Sequence, residues 1–234
     1  RIVLLQAHYV SGGFDQPLRG GQCRVDTVDL DAYWSAFDDA AACCTAGQTM
    51  GVVGHSIRAV PPDRLVELHA ESRRRGLVFH MHVEEQMAEI DACRTACGCT
   101  PTRLLLDRLQ PDSSFTAVHD THTQPDELRE FLSRGCNVCL CPLTEANLGD
   151  GLPAIDVLQE RPGQVCIGSD SNARISMLEE LRLLELAHRL RGECRGAWVD
   201  HAGAVDRRLL DMATINGARA LGLDAGRIAE GAWA

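Results

Sequence analysis

The sequence predicts an α/β fold in which helices alternate with the strands of a parallel sheet. Short, almost continuously apolar runs recur along the 234 residues, and stretches with helical spacing separate them. Strands that helices cover on both faces show such runs, whereas half-exposed strands alternate apolar and polar residues. No low-complexity linker or tandem repeat interrupts the pattern, so we expect a single domain over residues 1–234.

Six of the apolar runs have the length and composition of strands. Most are continuously apolar, as expected for strands buried on both faces. They cover Ile2 to His8, Met50 to His55, Leu77 to Val83, Phe115 to His119, Cys136 to Cys141 and Gln164 to Ser169.

Helices are predicted between and after these strands. Proline or acidic residues lie near several of their starts, and Gly76 and Gly135 follow the ends of two, as is typical of helix termini. A further helix is expected over Arg207 to Leu221. The other predicted helices run from Asp29 to Cys43, Pro61 to Arg75, Gln86 to Cys97, Gln124 to Arg134 and Ser176 to Arg191.

The composition narrows the class of function. Apolar residues make up 45% of the chain, which indicates a folded protein. The 33 acidic and 23 basic residues give a net charge of −10, the wrong sign for binding nucleic acid. No apolar run approaches the roughly 18 residues that span a bilayer, and no secretory signal opens the chain. We therefore expect a cytoplasmic protein whose partners include neither nucleic acid nor membrane.

Eleven cysteines are many for an intracellular protein. Two groups have spacings that could be combined into a zinc site, and the odd total leaves one thiol unpaired in any disulfide scheme. Buried structural thiols are the favoured interpretation, because cysteine in an apolar strand behaves as a small hydrophobic residue. The groups are Cys93, Cys97 and Cys99, and Cys136, Cys139 and Cys141.

Polar side chains at the ends of the strands predict where a site lies. Several runs end in a histidine or an acid: His8, His55, His82, His119 and Asp170. In a parallel barrel the carboxyl ends of all strands open on one face, so these side chains converge there. Such a constellation is typical of a metal-dependent hydrolase.

The segment from His80 to Gln86 carries the densest signal. His82 is a candidate metal ligand, and Glu85, three residues later in the loop, is a candidate proton shuttle for a metal-bound water. The alternative is a buried histidine followed by a glutamate that caps the next helix.

Two further segments close strands in the same way. Asp170 ends the last strand, where it can complete a metal shell and accept a proton from the attacking water. His119 can polarise the group under attack. His122 is either a partner of these groups or a solvated loop residue.

Arg58 follows the second strand, after His55. Its planar guanidinium matches a carboxylate in two-point contact, which predicts an anionic substrate. A surface arginine paired with a nearby acid is the alternative.

Together, these motifs resemble the deaminase branch of the metal-dependent amidohydrolase superfamily. The resemblance rests on residues 82–85, 119–122, 168–171 and 212–222, and it covers nearly the whole chain. Residues 54–60 and 141–151 are similar to the formimidoylglutamate deiminases within that superfamily. The resemblance implies a (β/α)8 TIM barrel, of which this chain would cover about strands three to eight, starting inside the fold at Arg1.

The resemblance also implies roles for residues. His82 and Asp170 would bind one divalent metal, zinc or alternatively iron. Catalysis would fall to Glu85, His119 and Asp170, and substrate binding to His55, Arg58 and His122. The implied reaction is the hydrolytic deamination of N-formimino-L-glutamate to N-formyl-L-glutamate and ammonia in histidine degradation, by a homodimer.

Two alternatives stay open. Another deaminase of the superfamily, acting on a purine, pterin or triazine ring, would share the same motifs. Alternatively, the chain is a catalytically inactive fragment, because the His-x-His pair that the family carries on its first strand has no counterpart here. His80 and His82 have that spacing, but the family carries a similar pair at this later strand.

Overall fold

The computed structural model describes residues 1–27, 29–171 and 174–233. Within these ranges the strands form one parallel sheet in which each strand pairs with the next one along the chain. The strands are β1 (Ile2–His8), β2 (Gln48–Ser56), β3 (Phe79–Val83), β4 (Phe115–His119), β5 (Asn137–Leu140) and β6 (Val165–Ile167).

Helices connect the strands. They are α1 (Leu30–Ala42), α2 (Pro62–Arg74), α3 (Met87–Cys97), α4 (Pro101–Arg108), α5 (Pro125–Ser133), α6 (Pro142–Leu148), α7 (Ile155–Glu160), α8 (Met177–Gly192), α9 (Val205–Ala213) and α10 (Ile215–Ala220), with short 3-10 turns at Gly20–Arg24 and Pro162–Gln164. None of the helices in the described ranges is both long and apolar enough to cross a membrane.

The register aligns the carboxyl ends of the strands. The β1–β2 pairing runs from Ile2 opposite Gln48 to His8 opposite Gly54. The last pair of β3 and β4 is Val83 opposite His119. The loops that carry the candidate residues therefore leave the sheet at one edge.

The core lies between the sheet and the helices that cover it. Aromatic rings of β3 and β4 stack there, with Phe79 and Phe115 centroids 5.2 Å apart, and His69 of α2 lies edge-on to Phe79 at 5.1 Å. Close packing requires a glycine at position 54, since a Cβ there would lie 2.6 Å from Cδ2 of Leu65. This contact seats α2 against β2, just before His55.

The predicted α/β parallel fold is confirmed, and each predicted strand is present with ends shifted by a few residues. The predicted single helix over Arg207 to Leu221 is wrong. It divides into α9 and α10 at Thr214, whose φ of −124° and ψ of −91° leave the helical region. The turn lets the buried Asn216 donate hydrogen bonds to the carbonyls of Pro162 and Val165 beside β6.

The cysteines are all free thiols, and Cys93, Cys136, Cys141 and Cys166 are buried. Among the described residues, neither cysteine group forms a cluster with the spacing of metal ligands. The alternative of a zinc site built from these thiols therefore gains no support from the structure.

Candidate active site

A pocket of about 430 Å³ opens at the carboxyl ends of β2, β3 and β6. The strand ends supply its histidine and carboxylate side chains, and α6 supplies the wall that faces them. Its lining residues are His55, Arg58, His82, Glu85, Thr144, Asn147, Leu148, Asp170 and Ser171. Five residues that the sequence predicts for the site thus lie in one cavity.

Glu85, His119 and Asp170 form a cluster at this pocket. Each offers one ligand atom, and these atoms lie within 4.8 Å of one another. Nε2 of His119 is 3.8 Å from Oε1 of Glu85 and 3.7 Å from Oδ2 of Asp170. This nitrogen is buried and has no hydrogen-bond partner. The cluster brings a lone-pair nitrogen and two carboxylates to one point.

The backbone is strained where it delivers two of these side chains. His119 has a φ of +79° and Asp170 a φ of +49°, in the left-handed region that residues other than glycine rarely occupy. Such conformations cost of order 1–3 kcal/mol each and are concentrated at functional sites. His119 is the last residue of β4, Asp170 lies in the loop after β6, and the two side chains approach to 3.7 Å.

Glu145 of α6 sets the orientation of His119. Its Oε1 lies 3.2 Å from Nδ1 of His119 and accepts a hydrogen bond from the backbone N–H of Cys141 at 2.8 Å. A carboxylate can only accept at this contact, so Nδ1 carries the proton and the Nε2 lone pair faces the cluster.

The negative charges around His119 raise its pKa by more than burial lowers it. Burial by itself would lower the pKa of this buried histidine, but the hydrogen bond to Glu145 and the negative charges of Glu85 and Asp170 raise the pKa above its usual value. The three carboxylates therefore create a site that attracts a cation, whether a proton or a metal ion.

His82 lies beside this cluster. Its Nδ1 donates a hydrogen bond to the backbone carbonyl of His55 at 2.7 Å, which leaves Nε2 free, and its ring stacks on that of His119 at 5.7 Å. Burial lowers the pKa of His82 despite that bond, so the ring is in the neutral form that binds metals. The tightest ligand spacing nevertheless involves His119 and not His82. A metal held by His82 and Asp170 stays a prediction.

His55 and Arg58 form the other side of the pocket. The ring of His55 lies between those of Tyr9 and His82, at centroid distances of 4.5 and 4.8 Å. Burial is the main reason that the pKa of His55 is lowered to about 4, and the neighbouring His82 and Arg58 oppose a second positive charge there, so His55 is neutral at pH 7. Arg58 is the one arginine or lysine among the described residues that line this pocket.

Four of the histidines on or near the strands lie outside the pocket lining: His119, whose ring nevertheless belongs to the cluster, and three others. Nε2 of His80 bonds the carbonyl of Ala220 at 2.8 Å, and His8 is buried with Nδ1 against the hydroxyl of Thr27 at 2.6 Å. His122 lies under the segment at Gly151, where a Cβ would be 3.5 Å from its ring. The role of His122 in binding substrate stays a prediction.

Sequence reasoning assigned no role to Glu145, although the segment that contains it carries part of the family resemblance. The available signal was a carboxylate in the turn immediately after β5, at the same edge as the other acids. Thr144, Asn147 and Ser171 also line the pocket without having been predicted.

The cluster fits a divalent transition metal. Two ligands of one ion with bonds of about 2.0–2.2 Å lie at most about 4.4 Å apart. The distances of 3.8 and 3.7 Å from His119 to Glu85 and Asp170 fall inside that limit, and the two carboxylates lie within 4.8 Å of each other. One imidazole and two carboxylates are a donor set that suits zinc or iron. The unpartnered Nε2 of His119 supports a cation or a reacting group at this point, next to the ion that His82 and Asp170 are predicted to hold.

Comparison with known proteins identifies the family to which the chain is similar. The family model "Amidohydrolase family" matches residues 35–234. A formimidoylglutamate deiminase from Pseudomonas aeruginosa is 37% identical, over 98% of this chain and 51% of that protein. A 5-methylthioadenosine/S-adenosylhomocysteine deaminase from Halobacterium salinarum is 29% identical, over 79% of this chain and 42% of that protein. The chain spans about half the length of these curated relatives.

Solved structures share the fold. An amidohydrolase from Brucella melitensis superimposes with a TM-score of 0.82 at 30% identity, covering 96% of this chain and 51% of that one. An adenosine deaminase from Xanthomonas campestris with bound zinc gives a TM-score of 0.74 at 23% identity, covering 85% of this chain and 46% of that one.

Proposed function

The chain belongs to the amidohydrolase family, and on that basis we propose that its pocket hydrolyses N-formimino-L-glutamate to N-formyl-L-glutamate and ammonia, a step of histidine degradation. The 37% identity to a formimidoylglutamate deiminase over 98% of the chain supports the reaction. The substrate carries two carboxylates and a formimino group, and the pocket offers a separate set of residues for each end.

The observation that carries the proposal is the position of Arg58. It lines the same pocket of about 430 Å³ as Glu85 and Asp170, with His55 beside it. An arginine at that place can hold a substrate carboxylate while the formimino carbon reaches the acidic cluster. The described lining residues include no Phe, Tyr or Trp, so an aliphatic acid suits the pocket better than a stacked ring.

We propose zinc as the cofactor, with iron as the alternative. His82 and Asp170 would hold the ion next to Glu85 and His119. When bound there, the metal lowers the pKa of a coordinated water and so supplies a nucleophile at neutral pH.

The residues of the pocket account for the proton transfers. The carboxylate of Asp170 accepts a proton as the oxygen of water bonds to the formimino carbon. The imidazolium form of His119, which its raised pKa favours, stabilises through Nε2–H the negative charge that develops on the attacking oxygen. Glu85 carries the proton accepted by Asp170 to the formimino nitrogen, the hydroxyl proton of the tetrahedral carbon follows it, and the carbon–nitrogen bond breaks to leave ammonia and the carbonyl of the formyl group. One water is consumed for each ammonia released.

A panel of substrates tests the proposal. The metal-loaded protein is assayed for ammonia release from N-formimino-L-glutamate, S-adenosylhomocysteine, guanine and an amino-triazine. We expect release from the first compound, and a raised KM with little change in kcat for Arg58→Gln. Release only from a ring compound would assign the chain to the other deaminases, and no release from a zinc-loaded sample would favour the inactive fragment.

The proposal extends to assembly and location. A homodimer in the cytoplasm is what we expect of such an enzyme, and light scattering on the purified protein tests the dimer directly.

A further inference from the structure

A second charged residue lies behind Arg58. Glu89 is in the first turn of α3 and is only 1% exposed, and its Oε1 is 3.6 Å from Nε of Arg58. Neither carboxylate oxygen of Glu89 has a partner with good hydrogen-bond geometry, although the backbone of Glu84 is close enough to help lower its pKa, and the buried Nε of Arg58 has none either. The two groups therefore face each other across a contact that is electrostatic, since 3.6 Å is longer than a hydrogen bond.

This contact is a poor stabilising device. Burying a carboxylate is costly unless hydrogen bonds compensate for the lost water. Here the partner is 39% exposed, and the separation is too long for a bonded pair. Residues that break the usual rules of burial are concentrated at functional sites. The cost of burying Glu89 is understandable if its carboxylate positions a group in the pocket that Arg58 lines.

The shape of the arginine side chain indicates how Glu89 can act on the pocket. A guanidinium is a planar fork whose Nε edge and terminal edge can bind different groups. Glu89 faces the Nε of Arg58, while the side chain lines the pocket together with His55 and Asp170. An attraction at Nε in a buried setting limits how far the fork can rotate.

We propose that Glu89 is a positioning residue for substrate specificity: its buried carboxylate holds Arg58 from behind, so that the terminal edge of the guanidinium is preset to bind a substrate carboxylate. The identity of the substrate rests on the proposed function, but the preset geometry does not. Preorganisation of this kind improves binding without taking part in the chemical step.

Burial raises the pKa of Glu89 to about 7 although Arg58 opposes the shift, so the assays are run at pH 8, where the carboxylate is charged. Glu89→Gln tests the proposal because it keeps the shape of the side chain and removes that charge. The control is Asp91→Asn, an exposed carboxylate of the same helix. With N-formimino-L-glutamate we expect Glu89→Gln to raise KM about tenfold and to leave kcat within about twofold. With formamidine, which has no carboxylate, kcat/KM should match wild type. A purely structural role would instead lower activity on both substrates alike.

The double variant adds a test of coupling. If Glu89 acts through Arg58, adding Glu89→Gln to Arg58→Gln should raise KM no further. An additional tenfold loss in that background would overturn the proposal. If Glu89→Gln does not fold, Glu89→Asp withdraws the carboxylate by one methylene and is compared in the same way. An unchanged KM in a folded variant would also overturn it.

Equilibrium binding separates this proposal from the function on which it partly rests. If wild type releases no ammonia from N-formimino-L-glutamate, the proposed function fails, yet calorimetry with glutarate still reports on Arg58. We then expect the Kd for glutarate to be about tenfold weaker in Glu89→Gln than in wild type or Asp91→Asn. Equal Kd values, or no binding of glutarate to wild type, would contradict the positioning role.

Discussion

Removing the charge of Glu145 should lower the rate and the metal affinity of the site without disturbing its geometry. This carboxylate is 2% exposed, and one of its oxygens receives both the Nδ1–H of His119 and the N–H of Cys141. In Glu145→Gln the amide oxygen can accept both bonds, so only the charge is lost. A hydrogen bond to a charged group exceeds a neutral one by about 1–1.5 kcal/mol, which corresponds to roughly tenfold in rate or metal affinity.

Glu145→Ala should have a larger effect, because it removes both bonds and leaves Nδ1 of His119 without its orienting partner. Losing an outer partner of a metal site typically costs about 10–100-fold in activity or metal affinity. The unpaired N–H of Cys141 should also lower the unfolding free energy by about 1–3 kcal/mol.

The assay measures kcat for ammonia release and zinc affinity by competition with a chelator. Glu160→Gln is the control, since that carboxylate is 47% exposed and pairs with Arg129 on the surface. We expect the control to match wild type. Both kcat and zinc affinity should be lower in Glu145→Gln and lowest in Glu145→Ala. Wild-type kcat and zinc affinity in Glu145→Ala would refute the orienting role.

Three further predictions concern metal, pH and packing. Removing metal with a chelator should abolish ammonia release and lower Tm, and zinc should restore both; an unchanged Tm would argue against a tight site. Burial lowers the pKa of His69 to about 4, below its value of 6.5 in the unfolded chain, so its contribution is complete above pH 6.5 and is lost as pH falls through 4. The loss is at most about 3.4 kcal/mol. Thermal unfolding from pH 7 to pH 4.5 should show a shallower decline in stability for His69→Leu than for wild type, and an equal decline would contradict the assignment. Gly54→Ala places a Cβ 2.6 Å from Leu65 and 2.9 Å from Phe79, while the Cβ of Gly21→Ala meets nothing within 4 Å. Gly54→Ala should therefore lower the unfolding free energy by about 1–3 kcal/mol, and Gly21→Ala by much less. Equal Tm values for the two variants would contradict this prediction.

The strands could be predicted from the sequence because their burial leaves a direct trace. β3 and β4 are buried strands, so their residues are mainly apolar. The polar exceptions are His82 and His119 at the site, His80, which bonds the carbonyl of Ala220, and the buried Thr116. The short helices left a weaker trace. α4 has eight residues, and its start depends on the Thr100 hydroxyl accepting from the N–H of Arg103, a local bond that apolar periodicity does not reveal.

The site could be predicted in part for a related reason. Parallel strands bring their carboxyl ends together, so strand-terminal residues such as His82 and Asp170 converge without any knowledge of side-chain contacts. The roles of Glu145 and Glu89 could not be derived this way. Both lie in helices that follow the strands, and only the packing shows which strand-end side chain each one faces.

The most direct test of the account identifies which bond of N-formimino-L-glutamate is broken. The metal-loaded protein is incubated with the substrate in water enriched in oxygen-18, and the products are identified by mass spectrometry. The account predicts ammonia and N-formyl-L-glutamate in equal amounts, with one labelled oxygen in the formyl group. Formation of formamide and L-glutamate would contradict it. Unreacted N-formimino-L-glutamate in a preparation that deaminates a ring compound would contradict it as well.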